Sequence, residues 1–285
     1  MSTNPLIHFF QAFHYEYVGQ FLFATDVLQG IILTLVFSVL AQLFGSLIGL
    51  LLYFMRRSRV FGLRPLAEGY VWLFRGTPLL VQILFIYYLL PALSLARPLI
   101  NLHIFRHLGF LLETPFDAFI SGLLALALNE GAYMAEIVRA GIDSIDVGQL
   151  EAARSLGMTY GQAMRRIVLP QALRVIIPPL GNEFNSMLKS SSLVYAIGAY
   201  ELLSSAYAHG FSLGSPLELL VVATIWYLVL TTIWGFIQAW IERRLNASNI
   251  DPGQLAKGNW WNRIIGFGRT TPGAEVPAPA GIDHR

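Results

Sequence analysis

The chain has 285 residues, of which 55% are hydrophobic and only 13% charged, with a mean hydropathy of +0.57. Soluble domains carry about 25% charged residues, so half the usual polar surface is missing and the long apolar runs point to lipid as the solvent. A net charge of +2 is too small to argue for nucleic acid, and the absence of cysteine excludes disulfides, thiolate chemistry and cysteine-held metal or iron–sulfur sites.

Residues 1–24 are expected to be a periplasmic N-terminal segment; 1–20 do not read as a secretory signal, because His8, His14 and Glu16 interrupt them and no basic start precedes a short apolar core. Five spans are predicted, each near the roughly 20 residues needed to cross the hydrocarbon. The first, 28–55, carries Gly45 and Gly49 at the spacing that lets two helices approach closely. The second, 66–90, stops at Pro91 and opens with Arg75, Thr77 and Gln82. The third, 117–138, contains Asn129, Glu130 and Tyr133. The fourth, 175–199, is unusually polar, with Pro178, Pro179, Asn182, Glu183, Asn185, Lys189 and three serines. Such a helix survives in a membrane only where it faces protein or water. The fifth, 217–241, has Trp226, Trp234 and Trp240 in or near it, a pattern expected of interfacial anchors.

Between these spans, 91–116 is expected to be an external loop, and 246–285, rich in Pro, Gly and Ala, a flexible cytoplasmic tail whose Trp260 and Trp261 rest on headgroups. Orientation follows from the basic residues. An outside N-terminus places Arg56, Arg57, Arg59 and Arg64, the arginines of 139–174 and all basic residues of the tail inside. Only Arg97 and Arg106 then lie outside. This bias predicts a periplasmic N-terminus and a cytoplasmic C-terminus.

The polar segment 139–174 is built with care for a loop. Asp146 with Gln149, and Thr159 with Gln162, have capping-box spacing, and Gly157 sits where a helix end wants positive φ. Two short helices joined by a tight turn are predicted, the second ending before Pro170. On the first, Ala152, Ala153 and Leu156 offer a small smooth surface beside Glu151 and Arg154, suited to docking in another protein's groove. A lid packed on its own membrane domain fits the residues equally well. Tethering to spans at both ends argues against a DNA-reading motif.

At this point the sequence resembles a known family. Glu151-Ala152-Ala153, Gly157, and Ile167, Leu169 and Pro170 match without departure the EAA motif of binding-protein-dependent ABC importer permeases. Arg75-Gly76-Thr77-Pro78-Leu79, Ala135-Glu136-Ile137-Val138-Arg139 and Pro170-Gln171-Ala172-Leu173-Arg174 look like its polar amino acid branch, which includes histidine, glutamine, arginine and opine systems. The resemblance covers about 25–245. It implies an all-α integral membrane protein with the type I ABC importer permease (MetI-like) fold. Residues 25–245 would be the permease domain, in the cell inner membrane, with 139–174 as its cytoplasmic coupling loop. It further implies that Glu151, Ala152, Ala153, Arg154, Leu156 and Gly157 form a coupling helix seated in a cytoplasmic ATPase subunit. The remaining partners would be a second permease subunit, identical or different, and a periplasmic solute-binding protein. No cofactor is expected in this chain, since ATP and Mg would be bound by the ATPase.

Buried ionisable groups in membranes are functional candidates. The candidate substrate pathway comprises Arg75, Thr77, Gln82, Asn129, Glu130, Tyr133, Glu183 and Lys189; the competing reading is that they pair with one another or with carbonyls freed by prolines. Tyr87, Tyr88 and Glu136 read as structural. No ATP-binding G-x-x-x-x-G-K-S/T string is present, since Leu188 precedes Lys189 where glycine is required, and metalloprotease and hydrolase motifs are missing too. The expectation is a transporter subunit and not an enzyme. The rival is an ion-coupled carrier or channel, which needs no coupling helix.

Overall fold

A computed structural model describes residues 13–92 and 116–246. Apart from their end residues, the predicted 91–116 loop and the 246–285 tail, with Trp260 and Trp261, lie outside the described residues. The elements in chain order are α1 (Tyr15–Phe21), α2 (Thr25–Arg57), α3 (Leu63–Gly76), α4 (Leu79–Ala92), α5 (Phe116–Asp143), α6 (Val147–Ser155) and α7 (Tyr160–Ala163). A π turn (Met164–Val168) leads into α8 (Leu169–Ser190), a 3-10 turn (Ser191–Ile197), α9 (Leu202–Leu213) and α10 (Pro216–Asn246).

The bundle is organised around α2 and α5. With 33 residues, α2 is about 50 Å long at 1.5 Å per residue, ample for the hydrocarbon layer. Gly45 and Gly49 do have a specific packing role: a methyl group built on Gly45 would meet the Glu130 Cγ at 2.5 Å, and one on Gly49 the Met134 Cβ at 2.5 Å. Gly131 returns the arrangement, fitting against Ile48 of α2. Three small-to-large contacts therefore let the two backbones approach closely. Phe37, Ile83, Leu126 and Val194 form the main core, and Val27, Leu202, Leu219 and Val222 a second one against α9 and α10. Large side chains on the opposite face of α2, among them Ile32, Leu43, Leu47 and Phe54, are exposed, as a lipid-facing surface requires.

The structure differs from the predicted elements at three places. Residues 66–90 are not one helix: α3 and α4 meet at 111°. Pro78 drives Thr77 out of the helical region, to φ −118° and ψ 148°, so the chain must turn there. Pro91, expected as the stop, is accommodated inside α4. The second corrected feature is the helix expected to end before Pro170. It continues, because a π turn in which Leu169 N–H reaches back to the Met164 carbonyl widens the coil just before the proline. Third, the fourth predicted span is not a single helix but α8 followed by a 3-10 turn. Among the described residues three helices (α2, α5 and α10) are long and apolar enough to cross a membrane, or four segments if α3 and α4 count as one broken span.

α8 is held to α10 instead. Trp234 Nε1 donates to the Gly181 carbonyl at 2.8 Å, its ring lies 4.2 Å from that of Phe184, and Gln238 Nε2 donates to the Pro178 carbonyl at 3.3 Å. Trp226 likewise donates to the Leu22 carbonyl at 2.8 Å. These two indoles thus tie segments together, whereas Trp240 is exposed and stacks with Arg244.

Candidate functional site

The segment 143–164 folds as its capping residues dictate. Asp146 starts α6, its carboxylate accepting from Gly148 N–H at 2.7 Å. This is a simple cap and not the expected exchange with Gln149. At the far end Gly157 takes φ +79°, its N–H donating to the Arg154 carbonyl at 2.9 Å while Met158 N–H donates to Ala153 at 3.1 Å. That pair of bonds is a Schellman stop, available cheaply only to glycine. Thr159 and Gln162 then form a full reciprocal capping box that starts α7. The turn is closed further by Arg154, whose guanidinium lies over the Tyr160 ring at 5.8 Å.

The resulting surface is narrower than the sequence implied. Glu151, Ala152, Arg154, Leu156 and Gly157 are exposed, Leu156 by 83%. Ala153 is 1% exposed: it faces inward and seats α6 on its own chain. A stiff, capped helix is thereby presented outward, with an apolar knob at its end and charges beside it.

The candidate pathway residues divide into two groups. Gln82, Asn129 and Thr77 brace the break between α3 and α4. Pro78 has no N–H to offer the Phe74 carbonyl; Gln82 Nε2 donates to it at 2.9 Å and Asn129 Nδ2 at 3.1 Å. Gln82 also donates to the Thr77 carbonyl and hydroxyl, and its own Oε1 accepts from Asn129 at 3.0 Å. The second group is electrostatic. Arg75 lies over the Tyr133 ring at 5.3 Å, and Glu183 is within electrostatic reach of both Arg75 and Glu130. Glu130 itself is 2% exposed and accepts from Gln42 Nε2 at 2.9 Å. Lys189 stays apart, exposed and with no ion pair among the described residues. Glu136, read as structural, bridges Arg56 of α2 and Arg139 of α5.

Sequence reasoning missed Glu201, which is fully buried at the start of α9. Its Oε1 accepts from Ser204 N–H at 2.9 Å, and its Oε2 accepts from the Tyr227 hydroxyl at 2.6 Å and the Thr34 hydroxyl at 3.4 Å. One carboxylate thus joins α2, α9 and α10. The available signal was a serine three residues on, a capping box with its usual residue types reversed.

Comparison with known proteins agrees with this architecture. Residues 43–247 match the family described as "Binding-protein-dependent transport system inner membrane component". The chain is 40% identical over 238 residues to the arginine transport system permease protein ArgU of Corynebacterium glutamicum, covering 82% of this chain and 72% of that protein. A solved structure described as an amino acid ABC transporter with histidines superposes with TM-score 0.67 at 36% identity, covering 86% of this chain and all of the other. The methionine ABC transporter MetNI in an inward-facing conformation gives TM-score 0.59 at 18% identity, over 77% of this chain and 96% of that one, a likeness of fold alone.

Proposed function

This chain belongs to the family of binding-protein-dependent transport system inner membrane components, and from that premise we propose that it is the permease subunit of an ABC importer for polar amino acids, driven by a separate ATPase. The observation that carries the reading is the outward-facing, glycine-stopped helix 147–157, which has the EAA pattern and a rigid base.

Mechanically, α6 is short, capped at both ends and seated through Ala153, so force on Glu151, Arg154 or Leu156 moves it as a body. From α7 the chain runs without a break through the π turn into α8, which Trp234 and Gln238 fasten to α10. Two arrangements of these helices, unequally favoured by a nucleotide-closed ATPase, would expose the Arg75–Tyr133–Glu183 region to alternate sides. ATP and Mg would be held by that partner. The arginine bias supports a periplasmic N-terminus and a cytoplasmic 139–174, the side on which an ATPase would dock. A periplasmic solute-binding protein would deliver substrate, and a second permease subunit, identical or homologous, would complete the pathway.

The test is co-expression with a candidate ABC ATPase subunit from the same organism. The ATPase is expected to co-elute with the wild-type chain and to be lost from Glu151→Lys, with equal permease yield. Uptake in vesicles without ATPase would instead favour a carrier or channel and reject the proposal.

A further inference from the structure

We propose that the corner between α2 and α3, closed by the end of α5, is a binding site for the phosphate of an anionic phospholipid headgroup. A recess of about 510 Å³ opens there. Its cations come from three helices: Arg56 and Arg57 end α2, Arg64 lies in the first turn of α3, and Arg139 projects from α5. Carboxylates neutralise most of them. Glu136 accepts from Arg56 and Arg139, Asp143 lies 3.3 Å from Arg139, and Glu68 lies 2.9 Å from Arg64.

Arg57 is the exception. Its Nη1 donates to the Tyr53 hydroxyl at 2.8 Å, no carboxylate among the described residues pairs with it, and the residue is exposed. Beside it, Arg56 Nε is buried with no hydrogen-bond partner. The accessible, uncompensated positive charge of the recess is therefore that of Arg57, at the last turn of a membrane helix, which is the depth of the headgroups. A guanidinium fork matches the oxygens of a phosphate.

A second observation selects lipid over a soluble anion. The loop that follows, 58–62, carries Val60 at 64% exposure and Phe61 at 103%. A fully exposed phenylalanine, next to arginines at the end of a span, is placed to enter the boundary of acyl chains while the guanidinium meets the phosphates above it. The inference needs only that the chain spans a bilayer and not that it transports any particular solute. Asp143 and Tyr160 lie within electrostatic reach of Arg57, so a bound headgroup would sit beside the start of α7.

Native mass spectrometry of the purified full-length chain provides the test, with dioleoyl phosphatidylglycerol, dioleoyl phosphatidylcholine and millimolar inorganic phosphate as probes. The wild type is expected to retain phosphatidylglycerol over phosphatidylcholine, with phosphate failing to displace it. Arg57→Gln is expected to bind the anionic lipid about five-fold more weakly, the effect of one cation near an anionic surface. Phe61→Ser should also lose affinity, and Arg57→Lys, which keeps the charge but not the fork, should restore only part of what Arg57→Gln loses. Unchanged retention in Arg57→Gln, equal retention of the two lipids, or displacement by inorganic phosphate would overturn the assignment.

Discussion

Gly45 of α2 stands so close to Glu130 of α5 that a methyl group on the glycine would lie 2.5 Å from the Glu130 Cγ. Bare backbone on one helix is thus matched to a buried carboxylate side chain on the other. Gly45→Ala is expected to destabilise the bundle by about 1–3 kcal/mol, the usual penalty of overpacking. Gly69→Ala is the control: among the described residues nothing outside its own helix turn lies within 4 Å of a Cβ built there, so helix propensity alone acts and stability should hold or rise by up to about 1 kcal/mol. Thermal unfolding in detergent measures both. Equal melting temperatures would show that α2 and α5 are not packed as described.

Gly157 separates conformation from contact. Among the described residues, nothing but its chain neighbours lies within 4 Å of a Cβ built there, so the first cost of a substitution is φ +79°, a strain of about 1–2 kcal/mol for most residues. Asparagine tolerates that region, and Gly157→Asn should retain substantial uptake. Gly157→Asp adds a charge at the helix end and should abolish uptake while membrane insertion is unchanged, as read by membrane-fraction yield. Normal uptake by Gly157→Asp would remove the coupling role from this turn.

What the sequence disclosed follows from how local each interaction is. The Thr159–Gln162 box and the Gly157 stop depend on residues within a few positions of each other, and both were legible. The Gly45–Gly49 spacing announced a close approach but not its partner, because Glu130 and Met134 are brought there by tertiary packing. The α3–α4 break was hidden by composition: Pro78 lay in plain view, yet apolar residues on both sides made the stretch read as one span. Pro170 misled in the opposite direction, since a π turn absorbs it and only backbone geometry reveals that. Among site residues, Gln82 and Asn129 were found for their polarity, but their bracing of the Phe74 carbonyl depends on a fold that spacing cannot disclose.

Glu201 is expected to behave as the hub of a coupled network. Glu201→Ala strips the acceptor from Ser204 N–H and from the Tyr227 and Thr34 hydroxyls, and each buried donor left unmet costs about 1–3 kcal/mol. Tyr227→Phe removes one of those donors. In a double-mutant cycle with Glu201→Gln the two losses should be less than additive, by about 0.5–3 kcal/mol. Strict additivity in the melting measurement would show that the carboxylate and the phenol act independently.

The brace at the α3–α4 break and the charged group beside it should separate in function. Gln82→Leu leaves the Thr77 carbonyl without its Gln82 donor, so yield and melting temperature should fall together with uptake. Glu130→Gln keeps the volume and an acceptor for Gln42 while removing the ionisable carboxyl within electrostatic reach of Glu183. Its expected outcome is a loss of uptake that exceeds any loss of membrane-fraction yield. Should yield fall in step with uptake, Glu130 belongs with the packing of α2 on α5, and the path must be sought at Arg75, Tyr133 and Glu183 alone. Arg75→Ala then becomes decisive, because an exposed cation lying over an aromatic face contributes only about 0.5–1 kcal/mol to the fold. Its removal should leave yield intact, and any tenfold loss of uptake is then assignable to the pathway.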